Sequence, residues 1–145
     1  MRGWLLDTNV VASLTSPNGA PSVRAWAAAQ DEARLFISIL TLAEFDKGIH
    51  NLPAADPARH RYAAALAALE DRFTGRILSV SDAVVRRWGA LSGAIRRDTG
   101  HPPLVIDTLL AATAIEHGLC LVTRNVRDVE RTGAELLDPW DGLLP

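Results

Sequence analysis

The sequence predicts a three-layer α/β/α sandwich with a mainly parallel central sheet, and three observations lead to this fold class. Short apolar runs alternate along the chain with longer segments of helical periodicity. The apolar runs are continuous rather than alternating, which is typical of parallel strands covered by helices on both faces. The length of 145 residues suits a single domain over residues 1–145, because two ordinary domains would need a longer chain.

Five brief apolar runs are the predicted strands. The first run ends directly before Asp7, and the fourth leads into the polar sequence Thr123-Arg124-Asn125. In chain order, the predicted strands cover residues 3–6, 35–38, 76–80, 119–123 and 135–137.

Helical patterns occupy the intervals between these runs. Pro21 suits the first turn of a helix, and Gly118 suits the end of one. Ser81 or Asp82 suits an N-cap. The predicted helical segments are 9–14, 21–30, 41–49, 57–73, one from the cap at 81–82 to 97, one that ends at 117 after the loop 99–103, and a short segment at 126–132. Helices between strands imply crossover connections and a parallel sheet, whose ligands bind beyond the carboxyl ends of the strands.

The composition excludes several classes of protein. Fifteen lysines and arginines against 17 aspartates and glutamates give a formal net charge of −2, which excludes a strongly basic, charge-driven nucleic-acid binder. The single cysteine, Cys120, cannot form an internal disulfide, and no Cys/His cluster suits structural zinc. The N-terminus lacks a signal-peptide core, and the longest apolar span, 104–122, contains Asp107, Glu116 and His117. We therefore expect a soluble, cytoplasmic protein with no membrane segment.

Three carboxylates lie where the predicted fold brings distant segments together. Asp7 follows the first strand, Glu44 lies about one turn into the helix after the second strand, and Asp107 interrupts an otherwise apolar helix. The apolar neighbours of Asp107 predict a helix buried nearly all round. Asn125 and Asp128 follow the fourth strand. We expect Asp7, Glu44 and the loop after the fourth strand to open onto one edge of the sheet.

Each of these residues also has an ordinary structural interpretation when taken alone. Asp7 could be a turn residue that closes the strand, and Asp107 a helix N-cap or a core aspartate bonded to backbone N–H groups. Glu44 could be a solvated surface residue, and Asn125 and Asp128 could shape a turn. Taken together they favour a metal site, because neighbouring carboxylates repel unless a cation lies between them or one takes up a proton.

The ligand chemistry of such a site selects the cation. All-oxygen ligation, with no suitably placed histidine or thiol, favours a hard ion such as Mg²⁺ or Mn²⁺. This ion keeps several waters, lowers the pKa of one of them and neutralises charge that develops on a phosphoryl group. Such chemistry suits phosphodiester hydrolysis with one ion or two. The hydroxyls of Thr8 and Thr123 are candidates to orient carboxylates or waters.

Five short motifs span nearly the whole chain: LLDTNV at 5–10, ILTLAEFDKGI at 39–49, DTLLAATA at 107–114, LVTRNVRD at 121–128 and LLDPW at 136–140. At these residues the sequence resembles the PIN-domain nucleases, specifically the VapC-type toxins of bacterial toxin–antitoxin pairs. One such motif is a weak signal, whereas five in family order are a strong one.

The resemblance implies a PIN-like sandwich, a ribonuclease dependent on Mg²⁺ or Mn²⁺, and a homodimer neutralised by a small antitoxin protein. Asp7, Glu44 and Asp107 match the family's three metal-binding carboxylates. Many members have an aspartate where this chain has Asn125, with Asp128 one helical turn further on. Asn125 is therefore a fourth catalytic candidate, and the missing charge at this position favours a single ion.

The resemblance also indicates supporting residues and a mode of regulation. The candidates for supporting the site or contacting RNA are Thr8, Asn9, Thr123, Arg124 and Asp128. The family's antitoxins often place a basic tail in the acidic cleft, where an arginine would compete with the cation for the carboxylates.

Other functional classes fit the pattern less well. Haloacid dehalogenase-type enzymes need a second aspartate two residues after the first, where this chain has Asn9. Receiver domains need an aspartate after the third strand, where this chain has residues 79–81, Ser-Val-Ser. Dinucleotide-binding and P-loop enzymes carry glycine fingerprints that this sequence lacks. One alternative stays open, a non-catalytic PIN-like module that binds RNA or protein, and a metal-dependent rise in melting temperature would separate it from the nuclease.

Overall fold

The computed structural model describes residues 3–141, which contain five strands and seven helices. The strands are β1 (Trp4–Leu6), β2 (Leu35–Ser38), β3 (Ile77–Leu78), β4 (Cys120–Val122) and β5 (Leu136–Leu137). The helices are α1 (Thr8–Thr15), α2 (Pro21–Ala28), α3 (Ile39–His50), α4 (Ala58–Arg72), α5 (Asp82–Thr99), α6 (Val105–His117) and α7 (Val126–Val129). Two 3₁₀ turns occupy Glu32–Arg34 and Glu130–Thr132.

The strands form one sheet in the order β3-β2-β1-β4-β5, and each pairing between them is parallel, as predicted. The chain builds outward from β1 to β3 and then crosses to β4 on the other side of β1. The strand order therefore reverses between β1 and β4. In open parallel sheets, ligands bind beyond the carboxyl ends of the strands at such a reversal.

The two faces of the sheet carry separate hydrophobic clusters. Leu6 belongs to the cluster that includes residues of α1, α2, α3 and α4. Leu5, the preceding residue of β1, belongs to a second cluster with residues of α6, on which α5 packs. Successive strand residues face opposite ways, so β1 is buried on both faces, which explains its continuous apolar run. Helices on both faces confirm the predicted α/β/α sandwich.

The register between β1 and β4 sets the position of the residues that follow them. Leu6 pairs with Val122, so Asp7 and Thr123 leave the sheet at the same level. The backbone N–H of Asp7 donates to the carbonyl of Val122 at 2.9 Å, and that of Thr123 donates to Leu137 in β5 at 2.9 Å. Backbone pairing therefore fixes the two polar residues side by side at the carboxyl edge of the sheet.

Capping groups account for the helix ends. Helix α3 begins at Ile39, earlier than the predicted residue 41, because the Ser38 hydroxyl accepts a hydrogen bond from Leu40 N at 3.0 Å. The predicted cap at Ser81 is confirmed, since its hydroxyl accepts from Val84 N at 3.2 Å. Gly118 ends α6 with φ of 65°, a left-handed conformation that glycine adopts without strain.

One prediction about α6 is wrong, because this helix is not buried all round. Its first turn and the preceding residue are open to solvent, with Leu104 60% and Val105 55% exposed. Continuous burial begins only at Leu110 and extends to Ala114, over the sheet. Asp107 therefore lies at the boundary between the exposed turn and the buried part of the helix.

No helix within residues 3–141 has both the length and the apolar composition needed to cross a membrane. The apolar span 104–122 of the sequence is divided between α6 and β4.

Candidate functional site

Asp7 is the central carboxylate of the site and is almost completely buried, with 7% of its surface exposed. Its Oδ1 accepts from the backbone N–H of Thr8 at 2.7 Å, and its Oδ2 accepts from the Thr123 hydroxyl at 2.7 Å. Burial raises the pKa of the Asp7 carboxyl, and these two hydrogen bonds offset part of that rise. Asp7 is also the N-cap of α1, so it begins this helix in addition to its place at the sheet edge.

Glu44 is joined to the same edge through two threonines. The Thr8 hydroxyl donates to Glu44 Oε1 at 2.8 Å and lies 3.0 Å from the Thr41 hydroxyl. Because the hydroxyl hydrogen of Thr8 is used on Glu44, Thr41 is the donor to Thr8. Thr41 is completely buried one turn before Glu44 in α3, and Glu44 itself is half-buried. Glu44 is therefore not the freely solvated residue that its sequence position alone would allow.

Asp107 lies in the first turn of α6, and its carboxylate accepts no hydrogen bond from residues 3–141. Its pKa is raised to about 6, chiefly by burial and further by the negative charges of Asp7, Asp128 and Glu44. The residue that caps α6 is Leu104. The interpretation of Asp107 as a helix cap or a hydrogen-bonded core aspartate is therefore wrong, and its charge belongs to the same electrostatic cluster as Asp7 and Glu44.

The segment after β4 closes the other side of the site. Thr123 is buried, donates to Asp7 and accepts from the backbone N–H of Asn125 at 2.9 Å. The backbone N–H of Arg124 approaches the side-chain oxygen of Asn9 at 3.5 Å, at the limit of a hydrogen bond. Asn125 is exposed, whereas the charge of Asp128 reaches Asp107. Of the two candidates for a fourth acidic position, Asp128 is the one that adds charge.

We expect Asp128→Asn to weaken the binding of Mn²⁺ by roughly ten-fold or less. The change removes one negative charge that attracts the cation but leaves Asp7, Glu44 and Asp107 in place. The same change should lower the pKa of Asp107 by relieving repulsion. A metal titration and an NMR pH titration of the metal-free protein measure the two effects. Asp71→Asn, which changes an exposed aspartate at the end of α4, is the matched control and should change neither quantity; equal effects of the two variants would contradict the assignment.

The carboxylates act on one another electrostatically without forming a closed coordination shell. In the described part of the chain, no three Asp, Glu, His or Cys side chains lie close enough together to ligate one ion. Asp7 and Glu44 are instead held by the hydroxyls of Thr123 and Thr8. Mg²⁺ typically keeps several waters and takes only one or two carboxylates directly. The all-oxygen donors and the repulsion acting on Asp107 therefore fit a hydrated divalent cation.

Two contributors were not selected from the sequence as site residues. Thr41 has one usable signal, since a threonine three residues before Glu44 shares a helix face with it. Trp140 has its ring centroid 5.2 Å from the guanidinium carbon of Arg124, a contact with no sequence signal because it joins the ends of two different strands.

Comparison with known proteins finds one family. A family model for the PIN domain matches residues 4–134. The chain is 31% identical over 141 residues to the VapC ribonuclease Y4jK of Sinorhizobium fredii, covering 94% of this chain and 97% of that protein. DNA-bound VapBC from Salmonella typhimurium gives a TM-score of 0.80 at 25% identity, with 96% and 99% of the two chains covered. A toxin–antitoxin complex from Klebsiella pneumoniae gives a TM-score of 0.67 at 25% identity, with 94% and 98% covered.

Proposed function

This chain belongs to the PIN domain family, and we propose that it is a divalent-metal-dependent endoribonuclease that acts as the toxin of a toxin–antitoxin pair. The observation that carries the proposal is that the negative charges of Asp7 and Glu44 act on Asp107, although the three residues come from distant segments of the chain. Burial and, after it, the repulsion from these charges raise the pKa of Asp107, and a cation placed between the carboxylates would relieve both effects. The ribonuclease name of the relative from Sinorhizobium fredii supports RNA as the substrate.

We propose Asp7, Glu44 and Asp107 as the residues that hold Mg²⁺, with Mn²⁺ as a substitute. When bound, the cation supplies a water of lowered pKa and neutralises charge on the phosphoryl group. The hydroxyl of Thr123 and the backbone N–H of Thr8 fix the orientation of both Asp7 oxygens. The Thr8 hydroxyl does the same for one oxygen of Glu44, so these threonines hold two carboxylates ready for the ion.

The remaining site residues have supporting roles in this proposal. Asn125 contributes its backbone N–H to Thr123, and its side chain is available to the substrate or to a metal-bound water. Asn9 steadies the backbone after Thr123 through its contact with Arg124. Asp128 adds negative charge beside Asp107, which attracts the cation.

The proposed partners are an antitoxin and a second copy of the chain. The toxin–antitoxin complex from Klebsiella pneumoniae supports a protein partner, and the acidic edge would attract a basic tail of that partner. An arginine placed there would compete with the cation, so the complex should lack nuclease activity; full activity with the tail in place would disprove this mechanism. We further infer that residues 1–145 form a single PIN domain, that it works as a homodimer, and that it acts on RNA in the cytoplasm.

Cleavage of RNA is the direct test of the proposed function. The purified protein should cut bacterial total RNA in the presence of Mg²⁺ or Mn²⁺, and a chelator should stop the reaction because the carboxylates need the ion. Mapping the new RNA ends identifies the cleavage sites. RNA that remains intact with either metal would contradict the assignment as a nuclease.

A thermal-shift measurement separates the nuclease from a non-catalytic binding module. Mn²⁺ at about 100 times its Kd should stabilise the fold by about 2.7 kcal/mol, because the ion binds only the folded state. Asp7→Asn should abolish this rise. The matched control is Asp71→Asn, which removes an exposed aspartate at the end of α4, ahead of β3 and therefore at the opposite edge of the sheet. A binding module without a cation site would show no rise in either variant or in the wild type.

A further inference from the structure

Arg124 combines a fixed position with unused hydrogen-bond donors. Its guanidinium carbon lies 5.2 Å from the centroid of the Trp140 ring, within the range of a cation–π interaction. Among residues 3–141, its side chain has no hydrogen-bond acceptor and no ion-pair partner. An arginine whose flat face stacks on an aromatic ring keeps its N–H groups free to donate to an anion such as a phosphate or a carboxylate.

Trp140 is itself held firmly. It follows the buried Pro139, and its backbone N–H donates to the side chain of Asp138 at 2.8 Å. Its ring is half-buried and packs against the hydrophobic cluster that contains Leu6 and Val122, at the ends of β1 and β4. The pairing of β4 with β5 brings the segments after both strands together. The ring is therefore a rigid support for the guanidinium rather than a mobile surface side chain.

Several carboxylates surround Arg124, yet none of those in residues 3–141 forms an ion pair with it. Arg124 lines an open groove of about 780 Å³ together with Arg127, and the same groove is lined by four carboxylates. Those carboxylates are Asp128, Glu130, Asp138 and Asp141. An arginine close to several carboxylates ordinarily forms ion pairs with them, whereas the Arg124 guanidinium stacks on the Trp140 ring instead. Because Arg124 has no ion-pair partner among residues 3–141, its guanidinium is available to bind an anionic ligand in this groove.

The groove shares two residues with the candidate site. Asn125 and Asp128 line it, and Arg124 directly follows Thr123, the residue that holds Asp7. An RNA strand whose scissile phosphate lies at the carboxylates would therefore place a neighbouring phosphate within reach of this segment. The acidic walls would repel that phosphate everywhere except at the arginines.

We propose that Arg124 binds an RNA phosphate next to the scissile bond, and that Trp140 is the positioning residue that holds the guanidinium for it. This inference rests on the proposed function, since it names how the substrate of that site is held. A carboxylate of a protein partner would fit the same guanidinium, and the RNA backbone is favoured because Asn125 and Asp128 of the candidate site line the same groove as Arg124.

Binding of a fluorescent single-stranded oligouridylate, followed by anisotropy at several salt concentrations in a chelator that keeps the probe intact, tests this inference. Arg124→Ala should weaken binding about ten-fold and lower the slope of log affinity against log salt by about 0.7, the value for one phosphate contact on a single strand. Trp140→Leu should weaken binding to a similar extent, and Trp140→Phe should restore most of it because a ring is kept. The double variant Arg124→Ala/Trp140→Leu should bind no more weakly than Arg124→Ala alone, since Trp140 acts through the arginine.

Arg86→Ala is the matched control, because Arg86 is an exposed arginine in the first half of α5. This half lies away from the site, since the neighbouring Arg87 pairs with Glu116 near the end of α6. The control should leave both affinity and salt slope unchanged, and circular dichroism should show that every variant is folded.

Three outcomes would overturn the inference. The first is an unchanged salt slope in Arg124→Ala while the wild type still cuts total RNA, which would leave the proposed function intact. The second is an additive loss in the double variant, which would show that Trp140 acts independently of Arg124. The third is a loss of partner-protein affinity with unchanged RNA binding, which would assign Arg124 to a protein carboxylate. If the wild type cuts no RNA but binds it through Arg124, the nuclease assignment fails and the position next to a scissile bond fails with it, whereas the phosphate contact of Arg124 and the role of Trp140 stand.

Discussion

Replacing Asp107 with asparagine is expected to reduce RNA cleavage by more than about 100-fold. Removing a carboxylate that holds the metal should lower activity more than the roughly 10- to 100-fold typical of a residue that only orients such a carboxylate. The same change is expected to stabilise the metal-free protein at neutral pH. In the wild type, burial and the charges of Asp7, Asp128 and Glu44 all oppose ionisation of Asp107. The neutral amide removes this repulsion, so the variant should lose activity while its fold gains stability.

The pH dependence of this gain follows from the pKa of Asp107. The unfolded chain releases the proton near the ordinary value of 3.8, whereas the folded metal-free protein keeps it up to about pH 6. Between these values the folded state binds more protons, so the stability associated with this carboxyl falls as the pH rises through the window. The advantage of Asp107→Asn should therefore be complete above about pH 6 and absent below about pH 4.

The size of the gain is modest because Asp107 is only partly buried. After allowance for solvent screening, we expect about 1 kcal/mol at neutral pH, part of which is offset by the lost attraction between the carboxylate and the N-terminus of α6. This corresponds to a rise of about 3 °C in melting temperature. Thermal unfolding in a chelator at several pH values measures it, with Asp71→Asn as the control. A variant that is less stable than the wild type at neutral pH would contradict the electrostatic cluster.

Thr123→Val is expected to destabilise the fold and to reduce catalysis less than Asp107→Asn does. Valine fills the same space but removes the hydroxyl that donates to Asp7 and accepts from Asn125 N. A buried carboxylate then loses a donor, which should cost about 2 kcal/mol of stability and raise the pKa of Asp7 further. Because Asp7 also loses its fixed orientation, metal affinity and cleavage should fall by about 10- to 100-fold.

Thr123→Ser separates the hydroxyl from the methyl group. Serine keeps the donor to Asp7, so the variant should retain metal binding and most of its activity while losing some stability from the missing buried methyl. Metal titration, RNA cleavage and thermal unfolding of both variants measure these effects. Equal loss of metal affinity in Thr123→Ser and Thr123→Val would show that the packing of this side chain, rather than its hydrogen bond, supports Asp7.

Several features of the site can be predicted from the amino-acid sequence. The continuous apolar run that stops directly before Asp7 predicts a strand end there, and parallel strands end at a common edge. The helical pattern after the second apolar run places Glu44 about one turn beyond the same edge. The first turn of α6 was predicted incorrectly, because the hydrophobicity of Leu104 and Val105 suggested burial although they lie exposed beside the edge. Hydrophobic side chains are common on protein surfaces, so a local apolar pattern does not fix burial.

The linear order of residues was enough to specify the parallel sheet, its covering helices and the edge at which the carboxylates collect. These features follow from short-range periodicity and from the direction that crossover connections impose on strands. Only the tertiary structure determines that the Thr123 hydroxyl donates to Asp7 across 116 positions of the chain, that the pKa of Asp107 is raised, and that the Arg124 guanidinium stacks on the Trp140 ring. Each of these depends on strand register and on side chains from separate segments meeting in space, which no local pattern encodes.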